Sequence, residues 1–149
     1  MGEEFCELPA INASEEDARA ILRNYKTIAV VGLSSNPEKP SHFVPRYLKD
    51  QGYTIIPVNP TAKGEILGQK VYAHLREIPR KVEIVEIFRP SKDVPPIVEE
   101  AIAIGAKVIW MQEGIVNNAA AERARAAGLQ VVMDRCMMKV HSALKGRGR

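Results

Sequence analysis

The chain has 149 residues, of which 46% are hydrophobic and 26% are charged, a composition typical of one soluble globular domain with its own core. Its apolar runs are far shorter than a membrane span, and the acidic start lacks the apolar segment of a secretory signal, so we expect a cytoplasmic protein that does not contact a membrane. The formal net charge of +3 is matched by three cations of the C-terminal tail, which leaves the body near neutral and argues against a nucleic-acid surface.

The N-terminal segment predicts an arm followed by a helix. Met1 to Asn12 shows no hydrophobic period, whereas Ser14 with Asp17 three residues later is typical of a capping box. We therefore expect a helix over about 14–25, a core over about 26–141 and a flexible basic tail over 145–149, all within one domain that spans 1–149.

A strand and a loop suited to phosphate follow. The apolar run Ile28 to Val31 predicts a parallel strand buried on both faces, which Gly32 ends. The loop offers hydroxyl donors and a positive charge, namely Ser34, Ser35 and Lys39. We expect the next helix to begin near Ser41 or His42, with Ser41 as its N-cap, and its N-terminus to favour an anion in the loop. A strand-to-helix turn that binds no ligand is the alternative interpretation, because the dinucleotide fingerprint has two more glycines.

Helices that end at glycine organise the rest of the chain. Gly52, Gly105 and Gly128 each close a helical pattern and lead into an apolar strand, which indicates repeated right-handed crossovers. We expect Ser91 to cap the third helix and Asn117 or Asn118 to open the fourth. The five predicted strands lie near 28–32, 54–58, 83–88, 107–111 and 130–133. The fold class is therefore α/β, a Rossmann-like doubly wound parallel sheet, for which we predict the strand order 3-2-1-4-5.

Ligands of such sheets bind beyond the carboxyl ends of the strands. After the second strand come Asn59, Pro60 and Lys63, where an NAD site would place an acid. Lys63 instead favours a further phosphate near the ribose, as in NADP or a 3'-phosphorylated nucleotide. The residues after the other three strands are Phe88, Arg89 and Pro90, then Glu113, then Cys136.

The cysteines and histidines do not predict a metal site. Cys6 and Cys136 are too far apart in sequence for a thiolate metal site with close spacing, and the three histidines are scattered, so we expect no metal. Cys136 is either a small buried apolar residue or a thiol that reacts at the ligand-binding edge.

Four segments together resemble the stand-alone CoA-binding proteins related to the N-terminal domain of the succinyl-CoA synthetase alpha subunit. They are VGLSSNPEKPS, IIPVNPTAKGEILGQKVY, FRPSKDVPPIVEEAIAIGAKVIWMQEGI and VVMDRCMM, and the match runs from about Lys26 to His141.

The resemblance implies roles for the strand-end residues. The loop around the CoA phosphates would comprise Gly32, Leu33, Ser34, Ser35 and Lys39. The contacts to the 3'-phosphoribose would come from Lys63, with Asn59 and Pro60 beside it. The wall against adenine and pantetheine would be Phe88, Arg89 and Pro90, and the Glu-Gly pair after the fourth strand would be Glu113 and Gly114.

Three hypotheses of function follow. The first is a protein that binds coenzyme A or an acyl-CoA as a carrier, a sensor or the partner of an acyl-CoA enzyme, with no catalytic apparatus. The synthetase keeps its phosphorylated histidine in a second domain, and we expect only one domain here, so the resemblance does not imply ligase chemistry. The second is an NADP-dependent oxidoreductase that uses His42 or Tyr72 as a general acid or base. The third is a regulatory domain that senses a nucleotide or redox state. A homodimer is a further expectation, since the first helix and the C-terminal segment could cover a sheet edge.

Overall fold

The computed structural model of the chain describes residues 8–147, which form a parallel sheet covered by helices on both faces. The helices are α1 (Glu15–Asn24), α2 (Pro40–Asp50), α3 (Val94–Ala103), α4 (Asn118–Ala126) and α5 (Met137–Arg147). The main strands are β1 (Thr27–Val31), β2 (Thr54–Val58), β5 (Ile84–Ile87), β6 (Val108–Met111) and β7 (Gln130–Val132). A small antiparallel hairpin of β3 (Glu65–Ile66) and β4 (Gln69–Lys70) lies in the connection between β2 and β5. These elements confirm the predicted fold class.

Local sequence signals fix most of the helix ends. The Ser14 hydroxyl accepts from the Asp17 N–H at 3.0 Å, and the Asp17 carboxylate accepts from the Ser14 N–H at 3.3 Å, so the predicted capping box is confirmed. Asn117 caps α4 through the Ala120 N–H at 2.9 Å, which also agrees with the prediction. Gly52 ends α2 with φ +100°, the left-handed conformation expected of a helix-closing glycine.

The continuous apolar strands are explained by two separate cores, one on each face of the sheet. On one face, Val31 and Val85 pack in a cluster with residues of α3 and α4. On the other, Val30 and Trp110 pack with residues of α1, α2 and α5. Successive side chains of each strand point to opposite faces of the sheet, and both faces are buried. The strands therefore appear in the sequence as apolar runs.

The predicted order of the strands was wrong. In chain order of the five main strands, the sheet runs 2-1-3-4-5 rather than 3-2-1-4-5, because β5 lies between β1 and β6. The Glu83 carboxylate accepts from the backbone N–H groups of Lys26 and Thr27 at 2.8 and 3.0 Å, which fixes the start of β5 beside β1. The outer edge of β2 is instead bridged by Tyr72, whose N–H donates to the Pro57 carbonyl at 3.0 Å.

This order moves the point where the chain reverses its winding direction. The crossover from β2 passes over β1 to reach β5, so the reversal lies between β1 and β5, and ligand crevices of doubly wound sheets open at such a point. The loop after β1 and the turn after β5 therefore flank the expected crevice.

Two predicted caps also differ from expectation. Helix α2 begins at Pro40 with Lys39 at the N-cap and no side-chain cap hydrogen bond, so Ser41 lies inside the first turn. Ser91 does not cap α3, because a 3₁₀ turn over Ser91–Asp93 precedes the helix and the Ser91 hydroxyl donates to the Val116 carbonyl at 2.5 Å. Helix α5 continues to Arg147, and the flexible tail over 145–149 stays a prediction.

Some expectations lie outside the described residues, namely those on residues 1–7, which include Cys6, and on residues 148–149. Within residues 8–147, no helix is long and apolar enough to cross a membrane.

Candidate functional site

The loop after β1 is held by its own polar groups. The Ser34 hydroxyl accepts from the Asn36 N–H at 3.0 Å, and the Asn36 side-chain oxygen accepts from the Glu38 N–H at 3.0 Å. The His42 Nδ1 lies 2.7 Å from the Ser34 carbonyl, and since a carbonyl only accepts, Nδ1 donates. The loop thus has a fixed shape at the N-terminus of α2, a location that favours anions.

Gly32 brings two strand ends close together. Its φ is +96°, and a Cβ at this position would lie 3.1 Å from the Phe88 carbonyl oxygen and 3.3 Å from the Arg89 Cδ. A larger residue would push the turn after β5 away from the loop, so this glycine is required by both its conformation and its neighbours. The residues predicted at the ends of β1 and β5 are therefore adjacent in space.

A cleft of ≈ 260 Å³ opens beside this contact, on the α3 face of the sheet. We call it the polar cleft after the charged side chains of Arg89, Asp93 and Glu100 in its walls, and most of its remaining lining is apolar. Its walls include Gly32, the Asn59–Thr61 turn after β2 and the side chain of Arg89. Asn59 ties the two loops together, because its amide donates to the Leu33 carbonyl at 3.0 Å and its side-chain oxygen accepts from the Thr61 hydroxyl at 2.9 Å. The structure therefore brings Gly32, Asn59, Pro60 and Arg89 to one cleft.

The charge of Arg89 is partly balanced inside the polar cleft. Its guanidinium donates to the Asp93 carboxylate at 2.9 Å, and half of the Arg89 side chain remains exposed. Glu100 lines the same cleft and accepts from the Leu75 N–H at 3.3 Å. The cleft thus has a cation at its mouth and paired acids on its wall.

An apolar groove of ≈ 660 Å³ lies on the opposite face of the sheet, between the first turns of α2 and α5. Phe43, Phe88, Ile115 and Met138 contribute its apolar walls, and Lys39 lies among its lining residues. Glu113 also lines the groove, where its carboxylate pairs with Lys139 at 3.1 Å and raises the pKa of that lysine. The predicted residues Lys39, Phe88 and Glu113 therefore share this groove.

Cys136 lies where the apolar groove meets a second, charged hollow of ≈ 270 Å³. The thiol is free and 7% exposed, and the Cys136 carbonyl accepts from the Val140 N–H at 3.0 Å, which places the residue at the start of α5. Arg135 and Lys139 line the hollow. Cys136 is thus buried but borders a cavity on two sides, which combines both interpretations drawn from the sequence.

Six predicted residues line neither the polar cleft nor the apolar groove, namely Leu33, Ser34, Ser35, Lys63, Pro90 and Gly114. Leu33 is fully buried in the core, so a ligand could meet its backbone but not its side chain. Ser35, Lys63 and Pro90 are exposed on the loops around the two depressions. The side chain of Ser34 is half-buried and engaged within its own loop.

Sequence reasoning missed Glu86, a carboxyl in the middle of the central strand β5. It pairs in register with Val30 and Trp110, is fully buried, and neither carboxyl oxygen has a hydrogen-bond partner among residues 8–147. Burial raises the pKa of Glu86 to about 8, so the group is mostly protonated at neutral pH. Side chains two residues apart on a strand point to the same face of the sheet. Glu86 therefore lies on the same face as Phe88, which lines the apolar groove. The sequence signal that could have identified Glu86 was its acidic side chain inside the mainly apolar run from 82 to 88.

The side chains proposed for redox chemistry have other roles. His42 is buried and holds the Ser34 carbonyl, and the ring of Tyr72 lies at the edge of β2, 5.2 Å from the Lys70 ammonium. Neither lines the polar cleft or the apolar groove. Across residues 8–147, no three His, Cys, Asp or Glu side chains are grouped closely enough to hold a metal ion.

Known proteins resemble this chain in sequence or in fold. Uncharacterized protein YneT of Bacillus subtilis is 42% identical over 90% of this chain and 98% of its own length. A hypothetical protein from Pyrococcus horikoshii OT3 has a solved structure that matches with a TM-score of 0.87 and 43% identity, covering 94% of this chain and 98% of that one.

A third relative is part of an enzyme. The alpha subunit of acetate–CoA ligase [ADP-forming] I from Pyrococcus furiosus is 40% identical over 59% of this chain, and the match spans 20% of that subunit. The family model described as CoA binding domain matches residues 26–142, which include the loop after β1 and both depressions. The resemblance drawn from the four sequence segments is confirmed, and the chain belongs to the CoA binding domain family.

Proposed function

We propose that this chain binds coenzyme A, free or acylated, at the carboxyl edge of its sheet. The observation that carries the proposal is the family match over residues 26–142, a range that contains every wall residue of the polar cleft. The two depressions on opposite faces of one edge also suit a long ligand that has a nucleotide at one end and an apolar group at the other.

The loop after β1 is the proposed site of the phosphates. The N–H groups of Gly32 and Ser34 already donate to the carbonyls of Val58 and Ser41, at 2.8 and 3.1 Å. Positive potential would therefore come from the backbone N–H of Ser35, the N-terminus of α2 and the ammonium of Lys39. Lys63, exposed on the loop after β2, would reach the 3'-phosphate, with Asn59 and Pro60 holding the shape of that loop.

The turn after β5 is the proposed divide between the two halves of the ligand. Arg89 and Pro90 would face the nucleotide beside the polar cleft, and Phe88 would lie against pantetheine at the entrance to the apolar groove. The Glu113–Lys139 pair would border the groove without adding net charge.

We further propose a carrier or sensor rather than an enzyme, acting in the cytoplasm. A second copy of the chain or an enzyme that uses acyl-CoA would be its partner. The ligase subunit from Pyrococcus furiosus, of which this chain matches 20%, is an example of such an enzyme that contains a related domain.

Calorimetric titration with CoA, acetyl-CoA, NADP and NAD tests the proposal. We expect CoA and acetyl-CoA to bind at least about tenfold more tightly than either nicotinamide nucleotide, a difference of about 1.4 kcal/mol. Tighter binding of NADP, or no binding of CoA to folded protein, would refute it.

A further inference from the structure

The lining of the apolar groove is rich in large apolar side chains. Its lining includes Phe43 and Val44 of α2, Phe88 after β5, Ile115 after β6 and Met138 of α5. These side chains come from four separate parts of the chain and converge on one space of ≈ 660 Å³. Convergence of this kind is typical of a ligand pocket rather than of scattered surface hydrophobes.

Three of the polar side chains that border the apolar groove are already engaged. Glu113 and Lys139 neutralise each other at 3.1 Å, and the Gln112 side-chain oxygen accepts from the Met137 N–H at 3.3 Å. A polar or charged ligand group placed beside these three side chains would lose water without gaining a strong partner, whereas an apolar chain would gain from leaving water. This part of the groove therefore favours an apolar ligand group over a polar one.

The apolar groove is also continuous with the proposed phosphate site. Lys39 lies both at the end of the loop after β1 and in the lining of the groove, and Phe88 is the residue before Arg89 of the polar cleft. A ligand held by its phosphates at the loop would therefore have its far end directed at the groove.

We propose that the apolar groove holds the acyl chain of a CoA thioester, so that the protein selects longer acyl-CoAs over free CoA. This inference rests on the proposed function, because the phosphates of the same ligand must first be held at the loop. Chain selection would arise from burial of methylene groups against Phe43, Ile115 and Met138.

A chain-length series tests this directly. Calorimetric titration of the full chain with CoA and with acetyl-, butanoyl-, hexanoyl- and octanoyl-CoA should show affinity rising by about two- to fourfold per added methylene, until the groove is full. Met138→Trp, which fills the groove, should flatten that rise. Phe43→Ala, which enlarges it, should extend the rise to longer chains.

Ile11→Trp is the matched control, since Ile11 is 62% exposed on the N-terminal arm and lines a different surface. It should keep the chain-length dependence of the wild type, and thermal melting would verify that all variants are folded. Equal affinity for free CoA and octanoyl-CoA would overturn the inference while leaving the proposed function intact. A rise that neither Met138→Trp nor Phe43→Ala alters would also overturn it, and failure of every CoA compound to bind would refute both proposals.

Discussion

Replacing Glu86 should make the protein more stable at neutral pH. The carboxyl is fully buried, and neither oxygen has a partner within residues 8–147, so its ionised form is penalised in the native state alone. Burial raises the pKa of Glu86 from 4.5 to about 8, and between those values the native state binds a proton that the unfolded chain has released. The free energy of unfolding therefore falls as pH rises through this window, and the loss levels off above the native pKa.

The size of the effect follows from the pKa. Each pH unit between 4.5 and about 8 costs about 1.4 kcal/mol, so at pH 7 the penalty is about 3 kcal/mol relative to acid conditions. Glu86→Gln keeps the shape of the side chain and removes the titration. The difference in unfolding free energy between Glu86→Gln and wild type should therefore grow from near zero at pH 4.5 to about 3 kcal/mol at pH 7 in favour of the variant. Glu86→Leu should be more stable still, because it also removes the unpaired polar atoms.

Urea denaturation of wild type and variants at pH 5, 6, 7 and 8 measures this difference. Glu122→Gln on α4 is the control, because Glu122 is exposed and its replacement should leave the pH dependence as in the wild type. Parallel curves for wild type and Glu86→Gln across the whole range would refute the reasoning, since they would mean that the buried carboxyl does not take up a proton on folding.

Three further predictions concern the ligand. Lys63→Ala should weaken CoA by about tenfold in calorimetry while changing dephospho-CoA little, because a charge-assisted contact to the 3'-phosphate is lost; equal losses would locate Lys63 away from that phosphate. Ser34→Asp should abolish binding at an unchanged melting temperature, because the new carboxylate repels phosphate yet can still accept from the Asn36 N–H; a lower melting temperature with unchanged affinity would make the loop structural. The Cys136 thiolate should attack CoA disulfide, forming a protein–CoA disulfide and releasing one CoA thiolate. Intact mass should then show an adduct that dithiothreitol removes and that Cys136→Ser lacks while Cys6→Ser retains it, and an adduct that follows Cys6 would leave Cys136 a structural thiol.

Much of the fold was predictable because its signals are local. The apolar run from Ile28 to Val31 predicted a strand buried on two faces, and two cores do cover the sheet. The Ser14–Asp17 box and the glycine at Gly52 marked helix ends by hydrogen bonding and backbone conformation that involve neighbours in sequence. Such features need no knowledge of distant contacts.

The strand order was not predictable because distant contacts determine it. The position of β5 beside β1 comes from backbone pairing between residues far apart in sequence, such as Ile28 with Ile84, and the Glu83 carboxylate adds hydrogen bonds to the N–H groups of Lys26 and Thr27. The bridge from Tyr72 to Val58 likewise occupies the sheet edge where the third strand was expected. A periodic pattern carries no information about either contact.

The candidate site was predictable in part. The rule that ligands bind beyond strand ends led to Gly32, Asn59, Arg89 and Glu113, which do line two depressions at one edge. The rule does not predict side-chain partners, such as the pairing of Arg89 with Asp93, because these depend on rotamers and packing.

The most direct test of the central claim is a crystal structure of the protein grown with CoA. We predict density for the phosphates at the loop after β1, the nucleotide at the polar cleft beside Arg89, and pantetheine against Phe88 at the entrance to the apolar groove. Density for CoA at any surface other than this edge of the sheet, in protein that binds CoA in solution, would contradict the account.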